Sequence, residues 1–425
     1  MRIMQNKDRS QSETFCILPW VHTATYTDGT ALLCCVAKPD SGLNLNYNTI
    51  NDVKNSNYFK EARLSLLNGE KFRGCSVCWR EEEIGVKSHR NNENRLWDDL
   101  LTKELVDEIV NNTHDDGTID NDLYTLDFRL GNTCNLACVM CRPQDSSKWL
   151  NEAKKLSNEL ETNAKWDWKH KSEIDLNKFE WYKRQEFLED FYQSCGNMRL
   201  MIFAGGEPLL IKEHKEIIKE MVNRGYAANI QVNYHTNGTI YDPELMELWK
   251  NFKKVELFLS IDGIQKVTEF IRYPSDFNVI ENNLRMYDDN ASDNMSFKIL
   301  YTVQALNIFY LPEFADWLDS QNYKKIIVRK KHETIFHTGV LWGPNYLSTK
   351  ILPPHVKEVV TKKLTDYVES KKDTLNVWNF LEMVNLMNSQ DESSLLNQFD
   401  EYLIKIDLYR NLNHKQTFEE LLNLF

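Results

Sequence analysis

No run of about 18 apolar residues occurs anywhere in the chain, which leaves no candidate for a membrane-spanning helix. The opening residues, MRIMQNKDRSQSETF, lack the hydrophobic core of a secretory signal, so a cytoplasmic location is the expectation. Internal repeats and low-complexity tracts are also missing. Excess positive charge is absent too: the net charge of −12 argues against general nucleic-acid binding. The nearest thing to a basic cluster, RKKHETIFH around residue 330, reads as a solvated loop. What remains is a globular chain of 425 residues with an ordinary apolar share of 42%. That length accommodates two or three domains.

Nine cysteines in a presumed cytosolic chain are not expected to form disulfides. Five fall within the first 80 residues (Cys16, Cys34, Cys35, Cys75, Cys78), three lie together (Cys134, Cys138, Cys141), and Cys195 stands alone. The clustering predicts two thiolate sites. Cys195 reads as a small buried hydrophobe.

From residue 120 onward, strand-like and helix-like stretches alternate. Strands are predicted at YTLDFRL (124–130), MRLMIF (198–203), NIQVNYHT (229–236), KVELFLSI (254–261), SFKILYTVQ (296–304) and KKIIVR (324–329). Helices are predicted between them, one starting at Asp242-Pro243 and one ending at Gly225. Such alternation gives right-handed parallel βαβ units, and six of them give an open, partial barrel with its chemistry at the C-terminal strand ends. Residues 161–190 read as a helical insertion, either a lid or a surface elaboration. Residues 91–122 read as a link, and residues 331–425 as mostly helical.

Cys134, Cys138 and Cys141 form C-x3-C-x2-C with no fourth cysteine behind them. Three thiolates hold three irons of a cubane and leave the fourth open to an outside ligand; a zinc site with a distant fourth ligand shares the spacing. With the strand YTLDFRL before it, this motif resembles the signature of the radical S-adenosylmethionine (SAM) superfamily. The resemblance implies an α/β fold with a partial (β/α)6 TIM-type barrel over residues 123–330. It also implies a [4Fe–4S] cluster whose open iron binds SAM, reductive cleavage to a 5′-deoxyadenosyl radical, and hydrogen abstraction from substrate. Met140 departs from the aromatic residue often found before the last cysteine, and is carried over only as a backbone contact to the cofactor.

Other strand ends match the family as well. AGGEP (204–208) implies SAM amino-group contacts at Gly205, Gly206 and Glu207, and HTNGT (235–239) brings in Thr236 and Asn237. SIDG (260–263) brings in Ser260, with Arg272 as the partner of the SAM carboxylate and Gln304 as a further pocket residue. Asp262 reads as a turn-former.

In the N-terminal region, Cys16, Gly29 and Cys34 stand at C-x12-G-x4-C, followed by the C-x2-C pair Cys75 and Cys78. By spacing, zinc and iron–sulfur are equally open. The pattern resembles a twitch or SPASM domain holding an auxiliary [4Fe–4S] cluster, except that it precedes the barrel, over residues 1–90. Cys34 and Cys35 compete for one ligand position, and the glycine spacing favours Cys34.

By resemblance, enzymes of this type modify peptides or proteins, or oxidise small molecules such as amino sugars, and draw electrons from flavodoxin or ferredoxin. A non-catalytic iron–sulfur or zinc scaffold is the competing class.

Overall fold

The computed structural model describes residues 13–40, 42–83, 87–120, 122–159, 176–326, 333–341 and 343–425. Eight strands form one sheet: β1 His22–Thr25, β2 Ala31–Leu32, β3 Thr125–Arg129, β4 Leu200–Ala204, β5 Gln231–Thr236, β6 Lys254–Ser260, β7 Met295–Val303 and β8 His337–Val340. Their order is β2-β1-β3-β4-β5-β6-β7-β8. The strands after residue 120 therefore follow chain order, as successive βαβ units require. The mostly parallel sheet, with helices between its strands, accords with the expected partial barrel.

Two compact units are distinguished along the chain, Met1–Asn132 with Asp175–Asn233 and Asn251–Lys254, and Thr133–Ile174 with Tyr234–Lys250 and Val255–Phe425.

In the first unit, β1 and β2 form an antiparallel hairpin. Its turn needs Gly29, whose φ is +81° and whose Cβ would lie 2.9 Å from Trp181. β1 then runs parallel to β3, with His22 opposite Thr125 and Ala24 opposite Asp127. The N-terminal thiol segment thus adds its hairpin to the edge of the sheet. β3 alternates: Phe128 faces the rings of Phe191, at 4.9 Å, and Phe203, at 5.2 Å, while Thr125, Asp127 and Arg129 take the other face. Phe191 comes from the helix Gln185–Gln193. Within the region expected to be an insertion, residues 160–175 lie outside those described. The following 3₁₀ segment Leu176–Lys183 contributes Trp181, whose indole N–H donates to the Thr27 carbonyl at 3.2 Å. Residues expected as a link carry the helices His89–Leu100 and Lys103–Asn111, which bury Trp97, Val106, Ile109 and Val110. Cys195 is buried, its thiol donating to the Phe191 carbonyl.

In the second unit, β7 buries every other residue from Met295 to Val303 and pairs in parallel with β6 and β8. The sixth predicted strand differs. Residues Lys324, Lys325 and Ile326 are not a strand: their N–H groups donate to the Asp288 carboxylate at 2.6 to 3.0 Å. Residues 327–332, which include part of the predicted strand and of the basic stretch, lie outside those described. The strand beside β7 is His337–Val340. Beyond it the chain is helical, with helices Pro354–Lys371, Asn379–Asn388 and Leu396–Arg410. No described helix is long and apolar enough to cross a membrane.

Candidate active site

The thiol loop begins just past the C-terminal end of β3. Within the second unit, the segment from Thr133 is held by backbone and side-chain bonds from distant elements. Ala137 N–H donates to the Tyr273 carbonyl at 2.5 Å, and Val139 N–H to the Ile271 carbonyl at 2.8 Å. The indole of Trp149 donates to the Cys138 carbonyl at 2.8 Å, and the Tyr402 hydroxyl to the Val139 carbonyl at 2.6 Å. Cys138 is buried, while Cys134 and Cys141 are half-buried.

Donors approach the sulfurs. Leu136 N–H lies 3.4 Å from Cys134 Sγ, Asn237 Nδ2 4.0 Å from the same sulfur, and Arg272 Nη1 3.9 Å from Cys138 Sγ. The Cys141 thiol hydrogen-bonded to Cys138, together with the Arg272 charge, holds Cys138 below the usual thiol range against the opposing effect of burial.

Arg272 is buried and paired with Asp262 at 2.8 Å. Asp262, expected only to shape a turn, is itself anchored by the Thr302 N–H at 2.7 Å. Arg272 Nε has no hydrogen-bond partner among the described residues. Gln304, fully buried, places Nε2 4.0 Å from Met140 Sδ and leaves Oε1 without a partner among the described residues. Asn237 bonds Asn135 at 2.9 Å and accepts from Thr239, forming a small amide cluster beside Cys134. Thr236 is buried at the end of β5, and Ser260 is half-buried at the end of β6. The structure thus brings Met140, Asn237, Arg272 and Gln304 to the thiol loop.

Gly205, Gly206 and Glu207 belong to the first unit. Gly205 has φ +75°, and its Cβ would meet Arg129 Cβ and Thr27 Cγ2 at 2.9 Å, so only glycine fits there. Glu207 is fully buried and caps the 3₁₀ turn Pro208–Leu210, accepting from Leu209 N–H at 3.1 Å.

The other thiols of the first unit also converge. Burial pushes the Cys16 thiol well up, and Cys75 and Cys78 add to the shift. Burial likewise raises Cys34, with Cys35, Cys16 and Cys75 contributing. Cys75, pushed up to about 12 by burial and by Cys78, closes the 3₁₀ turn Arg73–Cys75. Cys78 follows within the helix Ser76–Glu83. Cys16, Cys34 and Cys75 thus act on one another electrostatically, and Cys78 acts on Cys16 and Cys75.

Cys35 differs from its neighbour. Its sulfur lies 3.7 Å from His89 Nε2, and burial followed by Asp127 raises it to about 12, with Arg129 and Glu93 also acting on it. No sequence motif marks His89, Glu93, Asp127 and Arg129 as neighbours of Cys35. The signal available was a pair of charges at alternate positions of the otherwise apolar strand TLDFR.

Among the described residues, no group of three or more His, Cys, Asp or Glu side chains is arranged to hold a single metal ion. A cubane assigns each thiolate to a different iron, so ligands to it need not converge on one point. The donor set of the thiol loop fits such a cluster: three soft thiolates, N–H donors near the sulfurs, and buried polar atoms left without protein partners.

Residues 128–318 match the family model of the Radical SAM superfamily. No curated protein matches the chain. Among solved structures, the chain is similar to native anSMEcpe with bound AdoMet, at 17% identity and a TM-score of 0.36 over 61% of this chain and 62% of that one. It is similar to anSMEcpe with bound AdoMet and Cp18Cys peptide, at 16% identity and a TM-score of 0.37, over 63% and 67% of the two chains. A third likeness is to Streptococcus suis SuiB bound to S-adenosylmethionine, at 10% identity and a TM-score of 0.33, over 75% of this chain and 64% of that one. The chain thus spans less than two thirds of the length of anSMEcpe with AdoMet and of SuiB. Likenesses this weak transfer no function.

Proposed function

We propose, from the match of residues 128–318 to the family model of the Radical SAM superfamily, a cytoplasmic radical SAM enzyme that abstracts hydrogen from a peptide or protein. The observation that carries this reading is the three-thiol loop at the end of β3, with Asn237 and Arg272 donating toward its sulfurs. A [4Fe–4S] cluster held by Cys134, Cys138 and Cys141, together with bound SAM, would supply one-electron cleavage of the sulfonium and a 5′-deoxyadenosyl radical.

The residues of the chain have separate tasks. Arg272, charged and buried, offers a free Nε–H for a carboxylate while Asp262 fixes its plane. Gln304 Oε1 is a buried acceptor beside Met140. Gly205 and Gly206, without side chains, would let a polar ligand approach the backbone closely, and Thr236 and Ser260 stand at strand ends. Trp149 and Tyr402 exclude water from the loop backbone by occupying its carbonyls.

Cys16, Cys34, Cys75 and Cys78 would hold an auxiliary [4Fe–4S] cluster that accepts an electron from the substrate radical, and flavodoxin or ferredoxin would supply the reducing electron. In this reading residues 1–90 form a twitch-like domain, 91–122 a link, 123–330 the barrel core and 331–425 a helical region. A peptide substrate is favoured because enzymes with twitch or SPASM domains commonly modify peptides.

Anaerobic reconstitution with iron, sulfide, dithionite and SAM tests the proposal. Release of 5′-deoxyadenosine is expected. A protein that takes zinc at the three thiols, or a cluster whose spectrum SAM leaves unchanged, would overturn it.

A further inference from the structure

Arg410 is a buried cation to which the tasks above give no part. It ends the helix Leu396–Arg410, whose buried stripe is Phe399, Tyr402, Leu403, Ile406 and Arg410, the spacing of one helix face. Arg410 and every group it meets below belong to the second unit. Its side chain is 0% exposed, whereas that of Glu152, its ion-pair partner, is 22% exposed. Arg410 Nε donates to Glu152 Oε2 at 2.9 Å, and Nη2 lies at the same distance from that oxygen. Nη1 has no hydrogen-bond partner among the described residues.

Two rings flank the guanidinium. Its centre lies 4.5 Å from the Trp149 ring and 4.8 Å from the Tyr273 ring, within cation–π range. Both residues hold the thiol loop: the Trp149 indole donates to the Cys138 carbonyl at 2.8 Å, and the Tyr273 carbonyl accepts from Ala137 N–H at 2.5 Å. The same helix meets the loop again about two turns earlier, through the Tyr402 hydroxyl on the Val139 carbonyl. The Arg410 charge accordingly acts on Cys138, in the same direction as that of Arg272.

Packing alone does not call for a charge at this position. An apolar side chain would fill the space between the rings without the desolvation cost, and such replacements of buried ion pairs are often neutral or stabilising. A buried cation does suit a neighbour whose own charge changes. An iron–sulfur cluster becomes more negative by one unit when it takes up an electron, and its potential follows the charges around it. Glu152 opposes Arg410, but solvent screens a partly exposed carboxylate more than a buried guanidinium. The balance favours the reduced cluster.

We infer that Arg410 is a positioning residue of the three-thiol site: held between Trp149 and Tyr273, it raises the reduction potential of the cluster that Cys134, Cys138 and Cys141 would hold, and Glu152 moderates the effect. This rests on the reading of the loop as a [4Fe–4S] site and adds a control on its reduction.

The test uses the full chain, reconstituted anaerobically with iron and sulfide and titrated with dithionite and viologen mediators. The readout is the midpoint potential of the reduced-cluster paramagnetic resonance that Cys138→Ala abolishes. Arg410→Met should lower that potential by roughly 59 mV, a tenfold fall in the reduced-to-oxidised ratio of a one-electron couple. Arg410→Lys, which keeps the charge, should recover most of the loss. Glu152→Gln should raise the potential, by less, because its carboxylate is already partly screened. Arg410→Met and Glu152→Gln break the same ion pair, so a role confined to packing would move both potentials the same way or leave both unmoved. Either of those results, or no recovery in Arg410→Lys, overturns the inference. Should Arg410→Met hold no cluster, Glu152→Gln decides: an unchanged or lowered potential overturns it. Unshifted potentials in proteins with intact clusters remove this inference and leave the radical SAM reading standing. A wild type that takes up no cluster at the three thiols overturns that reading, and this one with it.

Discussion

The hydroxyl of Tyr402 donates to the carbonyl of Val139 at 2.6 Å, placing a C-terminal helix directly on the loop that bears Cys138 and Cys141. Both partners are buried. In Tyr402→Phe the carbonyl is left without its donor, a loss of about 1–3 kcal/mol. The variant should melt lower and lose iron from the three-thiol site faster than from the quartet. Time-resolved iron release to a chelator, compared between Tyr402→Phe and Tyr402→Phe/Cys75→Ala, separates the two sites.

Cys34 and Cys35 are neighbours with different surroundings, so their alanine variants should behave differently. Cys34→Ala should lose most of the iron attributable to the N-terminal site, whereas Cys35→Ala should retain it. Iron and sulfide counts on the reconstituted proteins check this. Equal loss in both would mean that both sulfurs serve the metal.

Glu93 provides a pH signature. Burial, with Asp127 adding to it and Trp97 opposing it, raises its carboxyl to about 7. A carboxyl raised in the folded state gives stability that is full below its unfolded value near 4.5 and is lost as pH climbs through about 7. The difference reaches about 3 kcal/mol at most. Glu93→Gln should therefore gain stability over the wild type at pH 8 and show no such gain at pH 4. Urea unfolding at the two pH values measures it.

Gly205→Ala forces a side chain onto a backbone at φ +75° with Arg129 and Thr27 already at contact distance. The left-handed conformation alone costs about 1–2 kcal/mol, and the clash adds to that. The variant should melt lower and bind SAM more weakly, as read by the SAM-induced change in the cluster spectrum.

Much of this arrangement was legible from residue types. The positive φ of Gly205 and of Gly29, the Asp242 cap ahead of Pro243, and the alternation along β7 all follow from local chemistry. What escaped depends on partners distant in the chain. KKIIVR looks like a short buried strand, yet the carboxylate of Asp288 takes the amides that a sheet neighbour would have used. The strand that does pair, HTGV, carries a glycine and too little apolar pattern to stand out. β1 is four residues long, and its pairing with β3 spans about a hundred residues of chain. Asp127 was visible as a charge within a strand, but its burial and the lack of a hydrogen-bond partner for Oδ1 among the described residues were not.

The anchor of the thiol loop also sets an order of assembly. Val139 leaves the ribosome 263 residues ahead of Tyr402, an interval of roughly tens of seconds at ordinary translation speed. During that time the three sulfurs exist without the helix that steadies them. Metal delivered before that helix emerges would meet an unfinished cradle, so durable loading would await the synthesis of Tyr402.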